Sequence, residues 1–256
     1  MFGFLLKKTL YDLWDNLLKI AVFNMGFIAC AALIVLVPPL IPHTFLAFCV
    51  LFVSIVFGAM YLATVARSVK ELSDYQSVNF SDFIPNFRKS WLTGAIFGTA
   101  VFIFWILITI AIPFYLDMGT LVGLFFAAIL FWTLVLGILS FQFLFAIRFR
   151  LNNPLLKSVK KCFIIFFDNP GFAIGTFIST IVLLALSVFF AFLFPGPAGA
   201  LLFLDEGFRL RLLKYDWIEE NPTADRRHIP WDVLLIDERE KTGSRSLRSF
   251  IFPWKD

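Results

Sequence analysis

Charge is scarce in this chain. Asp, Glu, Lys and Arg make up 16% of its 256 residues, against about 25% in an ordinary soluble domain. Histidine is scarcer still: His43 and His228 are the only two. Neither sits in the carboxylate–histidine pattern that a metal centre needs. The three cysteines, Cys30, Cys49 and Cys162, each lie in an apolar stretch without CxxC spacing, so they read as small apolar filler. No Walker loop, no GxGxxG and no GxSxG occurs. These absences argue against nucleotide, metal and serine chemistry, and no cofactor is expected.

Apolar side chains are abundant instead. They reach 60% of the sequence, with 35 Phe, whereas a soluble domain holds about 45–50%. Several apolar runs reach bilayer-spanning length, so lipid is the solvent to reason with. The net charge of +4 comes from 22 basic and 18 acidic residues. Because the cations flank apolar runs, the excess reads as membrane topology and not as a nucleic-acid footprint.

The expected fold is all-α: a polytopic transmembrane helical bundle with interfacial amphipathic helices. Five full spans fall at about 20–37, 45–66, 92–116, 121–147 and 171–194. A short sixth membrane-inserted helix covers 197–213. Together these make a transmembrane domain over 20–216, preceded by an interfacial helix at 1–19 and followed by a polar tail at 217–256. In the first helix Leu6, Leu10, Leu13 and Leu17 form an apolar stripe, with Lys7, Lys8, Asp12 and Asp15 mostly on other faces. A second amphipathic helix carries Phe80, Phe83, Ile84, Phe87 and Trp91, with Asp82 as N-cap. A third opens at Pro154 with Asn153 as cap, setting Leu155, Leu156, Val159, Phe163 and Phe166 against Lys157, Lys160 and Lys161.

Links near residues 40 and 118 carry no Lys or Arg, whereas 67–91 holds Arg67, Lys70, Arg88 and Lys89. The link 148–170 holds Arg148, Arg150, Lys157, Lys160 and Lys161. Cations in short links mark the cytoplasmic side, so both basic links and the N-terminus are expected inside. Arg209, Arg211 and Lys214 draw the C-terminus inside too, which requires the sixth crossing. Asp205, Glu206, Arg209 and Arg211 would each cost about 2.5–3.5 kcal/mol near a helix centre. That segment is tolerable only if short and packed on other helices, with Asp205 and Arg209 pairing at i, i+4. A faint repeat of interfacial helix, outward span and inward span accompanies this topology. Trp14 and Trp91, Gly94 and Gly171, and Gly98 and Gly175 share one spacing.

Small residues four apart begin three spans: Gly94 and Gly98, Gly119 and Gly123, Gly171 and Gly175. They are read as helix-packing contacts. No Asp, Glu, Lys, Arg or His lies deep in the first five spans, which argues against a proton pump, an ion channel or an intramembrane hydrolase. Asn24 and Gln142 read as interhelical hydrogen-bond partners, with a substrate site as the alternative. Asp205, Glu206 and Arg209 form the sharpest polar candidate; an ion-paired helix end is the plainer reading. In the tail, Pro230-Trp231-Asp232 and Pro253-Trp254-Lys255 bracket a segment that either anchors at the interface or docks a cytoplasmic partner through Trp231, Asp232 and Trp254.

Taken together, some of these features resemble a known family. They are Leu13-Trp14-Asp15 before a span containing Asn24, the helix from Phe80-Ser81-Asp82-Phe83 to Phe87-Arg88-Lys89, and the stretch from Asn153-Pro154-Leu155 to Asp168-Asn169-Pro170. They look like the YesL-like family of bacterial integral membrane proteins, a domain of unknown function, over about residues 5–215. The Trp-containing tail departs from its shorter members. The resemblance implies a bacterial plasma-membrane location and an association with carbohydrate uptake, and it carries over no catalytic residues. The expected role is a non-enzymatic accessory or scaffold. Its partners are the lipid bilayer and another membrane or transport protein, with no nucleic acid. A permease for a small neutral solute, using Asn24, Gln142 and the break at Pro195-Gly196-Pro197, is the alternative. An enzyme using Asp205 and Glu206 is the third.

Overall fold

A computed structural model describes residues 1–223 and 229–243. Among these residues the chain is all-α, and five helices are long and apolar enough to cross a membrane. Hydrocarbon surroundings are written on their surfaces. Leu121, Phe189, Leu40, Phe45 and Leu18 are each more than three-quarters exposed, which water would penalise and lipid tails do not.

The chain opens with α1 (Phe2–Asp15) and α2 (Leu17–Leu36), which meet at Asn16. Pro38 and Pro39 end α2, since neither can continue the hydrogen-bond ladder. Next comes α3 (Thr44–Ser73), 30 residues long, and α4 (Phe83–Ile106) lies against it. The contact is close because Gly94 and Gly98 face α3. A Cβ on Gly94 would sit 2.5 Å from the Met60 Cα, and one on Gly98 would sit 2.8 Å from the Val56 Cα. A wide turn at Leu107–Ala111 then leads into α5 (Ile112–Asp117). Its cause is local: Pro113 lacks an N–H and crowds the carbonyl of the preceding turn.

Gly119 adopts φ +61° in the tight link to α6 (Leu121–Phe141), and Thr120 caps that helix by accepting from the Gly123 N–H at 3.2 Å. The chain breaks at Gln142-Phe143 before α7 (Leu144–Arg150), then turns into α8 (Leu155–Asp168) and α9 (Pro170–Ser187). Ala191 and Phe192 take left-handed conformations in the link to α10 (Gly196–Glu220). Two short tail helices follow, α11 (Trp231–Leu234) and α12 (Ile236–Thr242).

Helix α10 is the hub. It packs on α1, α2, α3, α7 and α9. Its first half is small and apolar (Gly196, Ala198, Gly199, Ala200, Leu202, Phe203), which permits close neighbours on several sides. The sequence expectation of a short 197–213 segment is exceeded, since the helix continues to Glu220. The charged residues in its middle, Asp205 and Glu206, are buried by protein, whereas Asp216, Glu219 and Glu220 near its end are exposed.

Helix α1 corrects the sequence reading. Leu5, Lys8, Thr9, Asp12 and Leu13 are buried, while Leu6 and Leu10 are 39% and 40% exposed. The polar face points into the protein and much of the leucine stripe points out. Cap positions shift as well. Helix α8 begins with Pro154 in the capping position, and Asn153 does not cap it. Glycines matched in the faint repeat do not share roles. Gly94 and Gly98 pack on α3, but a Cβ on Gly171 would meet nothing and one on Gly175 only the edge of the Phe2 ring. Gly119 likewise makes a turn and not a packing contact; Gly123 closes that turn against the Tyr115 carbonyl.

Candidate functional site

The polar core forms where α1, α10 and the ends of α3 and α7 converge. Lys8, Thr9 and Asp12 lie on one face of α1, at i, i+1 and i+4. The Lys8 ammonium donates to Asp12 and, at 3.2 Å, to Glu206 Oε1. Thr9 Oγ1 donates to the other Glu206 oxygen. Lys8 and Glu206 are wholly excluded from solvent. Burial disfavours the charge on Lys8, yet Glu206 and Asp12 outweigh it and hold the Lys8 pKa above the ordinary lysine value. The ring of Tyr75 lies 4.4 Å beneath the ammonium.

A second group adjoins the first. The guanidinium of Arg150, at the last residue of α7, grips Asp205 through Nε (3.0 Å) and Nη2, and reaches Asp74 through Nη1 at 2.8 Å. This fork-on-carboxylate arrangement is the strong, directional form of ion pairing. Ser73 Oγ donates to Asp205 at 2.7 Å. Arg209 bonds Asp74 at 3.0 Å and Glu238 of α12 at 2.6 Å, and Tyr75 donates to Glu238 at 3.1 Å. The i, i+4 pair expected between Asp205 and Arg209 is thus replaced. Each takes partners from other helices, because both are sheltered from water and need several hydrogen bonds.

The connected groups are three cations (Lys8, Arg150, Arg209) and five carboxylates (Asp12, Asp74, Asp205, Glu206, Glu238). The excess of acceptors accounts for the hydroxyls of Thr9, Ser73 and Tyr75 donating into the cluster.

Sequence reasoning singled out Asp205, Glu206 and Arg209 but missed Lys8, Asp12, Asp74, Arg150 and Glu238. The available signal was Lys8, Thr9 and Asp12 on the face of α1 opposite Leu6 and Leu10. A polar face shared with a leucine stripe fits a helix packed polar-side inward as well as one floating at an interface.

The other candidates lie elsewhere. Asn24, fully buried in α2, donates to the carbonyls of Leu193 (3.0 Å) and Pro195 (2.8 Å) and accepts from the Ala198 N–H at 2.9 Å. It satisfies the exposed backbone where α10 begins. Gly196, at φ +61°, fits there because any Cβ would strike the Asn24 amide. Gln142 occupies the α6–α7 break. It donates to the carbonyls of Leu139 and Ala173 at 2.8 and 2.9 Å and accepts from Thr176 at 3.3 Å.

The tail folds back onto the bundle. Leu235 is fully buried, Glu238 joins the charged cluster, and the Trp231 ring lies 5.9 Å from the Arg211 guanidinium. Asp232 is exposed and pairs with Arg239 at 2.9 Å. Trp254 and His228 lie outside the described residues. Asp168 and Asn169 at the α8–α9 turn are held by Tyr215, Arg211 and Lys214. Burial pushes the Asp168 pKa up, but the Tyr215 hydroxyl, the Lys214 ammonium and the Asn169 amide bring it below the ordinary carboxylate value.

Among the clefts, one of about 260 Å³ lies between α4, α6 and α9, lined by Phe97, Phe104, Phe141, Gln142 and Thr180. Another of about 290 Å³ separates Leu6 and Leu10 of α1 from α9. A third, of about 640 Å³, lies between the start of α1 and α12. The carboxylates Asp205 and Glu206 line none of these three. Among the described residues, no group of three or more His, Cys, Asp or Glu is placed to hold a metal ion.

No family model, curated protein or solved structure matches the chain.

Proposed function

We propose that this protein is a non-enzymatic membrane scaffold, an accessory to another membrane system such as carbohydrate uptake, as its resemblance to YesL-like proteins implies. It lies in a bacterial plasma membrane with the basic links and both termini on the cytoplasmic side, as the distribution of Lys and Arg supports. The observation that carries the proposal is the closure of the polar core. Asp205 and Glu206, the groups best suited to chemistry, are bound by Arg150, Lys8, Ser73 and Thr9 and sit away from the clefts. A catalytic carboxylate needs access to substrate and a free lone pair. Asn24 and Gln142 hold backbone groups of neighbouring helices, which supports a packing role over a solute site. A protein with its polar groups so engaged acts through its surface.

The test pairs two measurements. Purified protein in proteoliposomes is assayed for uptake of radiolabelled neutral sugars, and the native complex is cross-linked in membranes before purification. The reading expects flux equal to empty vesicles and a stoichiometric transport component in the complex. Sugar flux above that of empty vesicles, lost in Gln142→Leu, would overturn it in favour of a permease.

A further inference from the structure

Two side chains of the link between α7 and α8, one at each end, hold a buried hydrogen-bond donor without a protein acceptor. Arg148 lies in the last turn of α7, and its Nε is buried without a partner. Asn153 is 8% exposed and directly precedes Pro154; its Nδ2 is likewise buried and unpartnered. Donors left in that state are costly in a folded protein and call for an acceptor. Helix α8 then starts with no side-chain cap. The N–H groups of its first turn, which have no intrahelical acceptor in any helix, therefore gain none from a capping side chain, and the helix dipole adds positive potential there. Lys157 lies in that turn, with Lys160 and Lys161 one turn on, and none of the three forms an ion pair among the described residues. Such a set of donors suits a phosphate.

The rest of α8 indicates what carries that phosphate. Ser158, Cys162, Ile165 and Phe166 face the bundle. On one flank Leu156, Phe163 and Phe167 follow helical spacing; Leu156 and Phe167 are 85% and 67% exposed. Lys157 and Lys161 take the other flank, and Lys160 falls between the two, beside Phe167, with the exposed Ile164 next to it. A helix apolar on one flank and cationic on the other lies at the boundary of hydrocarbon and headgroups. We propose that the α7–α8 corner binds the phosphate of an anionic phospholipid, whose acyl chains lie along Leu156, Phe163 and Phe167. Free phosphate would satisfy the donors but would leave the apolar flank uncovered. A zwitterionic headgroup would bring its own cation toward the lysines.

The full chain in a neutral detergent is titrated with short-chain phosphatidylglycerol, short-chain phosphatidylcholine and inorganic phosphate, and its unfolding midpoint is followed. Phosphatidylglycerol is expected to raise the midpoint saturably, with the other two well behind. The triple variant Lys157→Gln, Lys160→Gln, Lys161→Gln changes exposed or half-exposed positions only, and Asn153→Ala removes the orphaned donor. Each is expected to weaken phosphatidylglycerol binding about tenfold or more, as loss of charge-assisted hydrogen bonds does. If Asn153→Ala does not fold, the lysine variant decides alone. Equal response to phosphatidylcholine, a full response to inorganic phosphate, or unchanged affinity in the lysine variant would each overturn the assignment.

Discussion

Lys8 Nζ and Glu206 Oε1 lie 3.2 Å apart with both side chains closed to solvent, joining the first helix of the chain to the longest helix of its C-terminal third. Around them five carboxylates and three cations are shared among α1, α3, α7, α10 and α12. The membrane spans enclose a polar knot at one end of the bundle. Dismantling one half of a buried pair is worse than removing both, since the survivor keeps its desolvation cost without its partner.

That asymmetry gives the first prediction. Lys8→Met should destabilise the detergent-purified protein by about 3–5 kcal/mol, and adding Glu206→Gln should recover roughly half of the loss. A double-mutant cycle on thermal unfolding measures the coupling. Additive losses would mean that the two groups do not interact as their geometry implies.

The glycines give a contrasting pair. Gly94→Ala places a methyl against the α3 backbone and should cost about 1–3 kcal/mol through overpacking. Gly171→Ala meets open space in the first turn of α9 and should be neutral or stabilise by up to about 0.5–1 kcal/mol. Unfolding midpoints of the two variants in one detergent should move in opposite directions or differ by several degrees.

The tail is held by Leu235 and Glu238. Leu235→Asp should free α12 without dismantling the spans, because local units open separately when their own contacts fail. Limited proteolysis should then cut within residues 229–243 much faster than in the unmodified protein, while the main unfolding transition stays near its original temperature. Equal cutting rates would mean that the tail is held elsewhere.

Acid sensitivity follows from Asp168, whose folded pKa is depressed. A depressed carboxylate contributes stability above its unfolded pKa of about 4, and that contribution is lost as pH falls through the lower folded value. Asp168 is half-exposed at its side chain, so screening limits the effect to under about 1 kcal/mol. In Asp168→Asn, stability measured below pH 4 should fall less steeply than in the parent. An identical acid limb would remove Asp168 from the account.

The spans were legible because their information is local. A run of apolar residues long enough for a bilayer, ended by Pro38-Pro39 or a Gly119 turn, needs no distant partner to be recognised. Asn24 and Gln142 were likewise legible as packing groups, since an isolated amide in an apolar run must find a partner. The polar knot was not legible. Arg150 and Asp205 are 55 positions apart in sequence, and Lys8 and Glu206 are 198 apart. Periodicity reports which residues share a helix face and not what that face meets, so α1 read as an interfacial helix. In α10 the charges fit a helix end facing water as readily as a centre enclosed by helices. Only packing on several sides distinguishes the two.

The separation between Lys8 and Glu206 also sets an order of events during synthesis. At about 5–20 residues added per second, the ribosome reaches Glu206 some 10–40 s after Lys8. During that interval the first helix carries an ammonium whose eventual neighbour does not yet exist. It must wait where water still reaches it, while five apolar helices enter the bilayer beside it. The nascent N-terminal segment therefore docks late, and assembly of the bundle closes on its oldest residues.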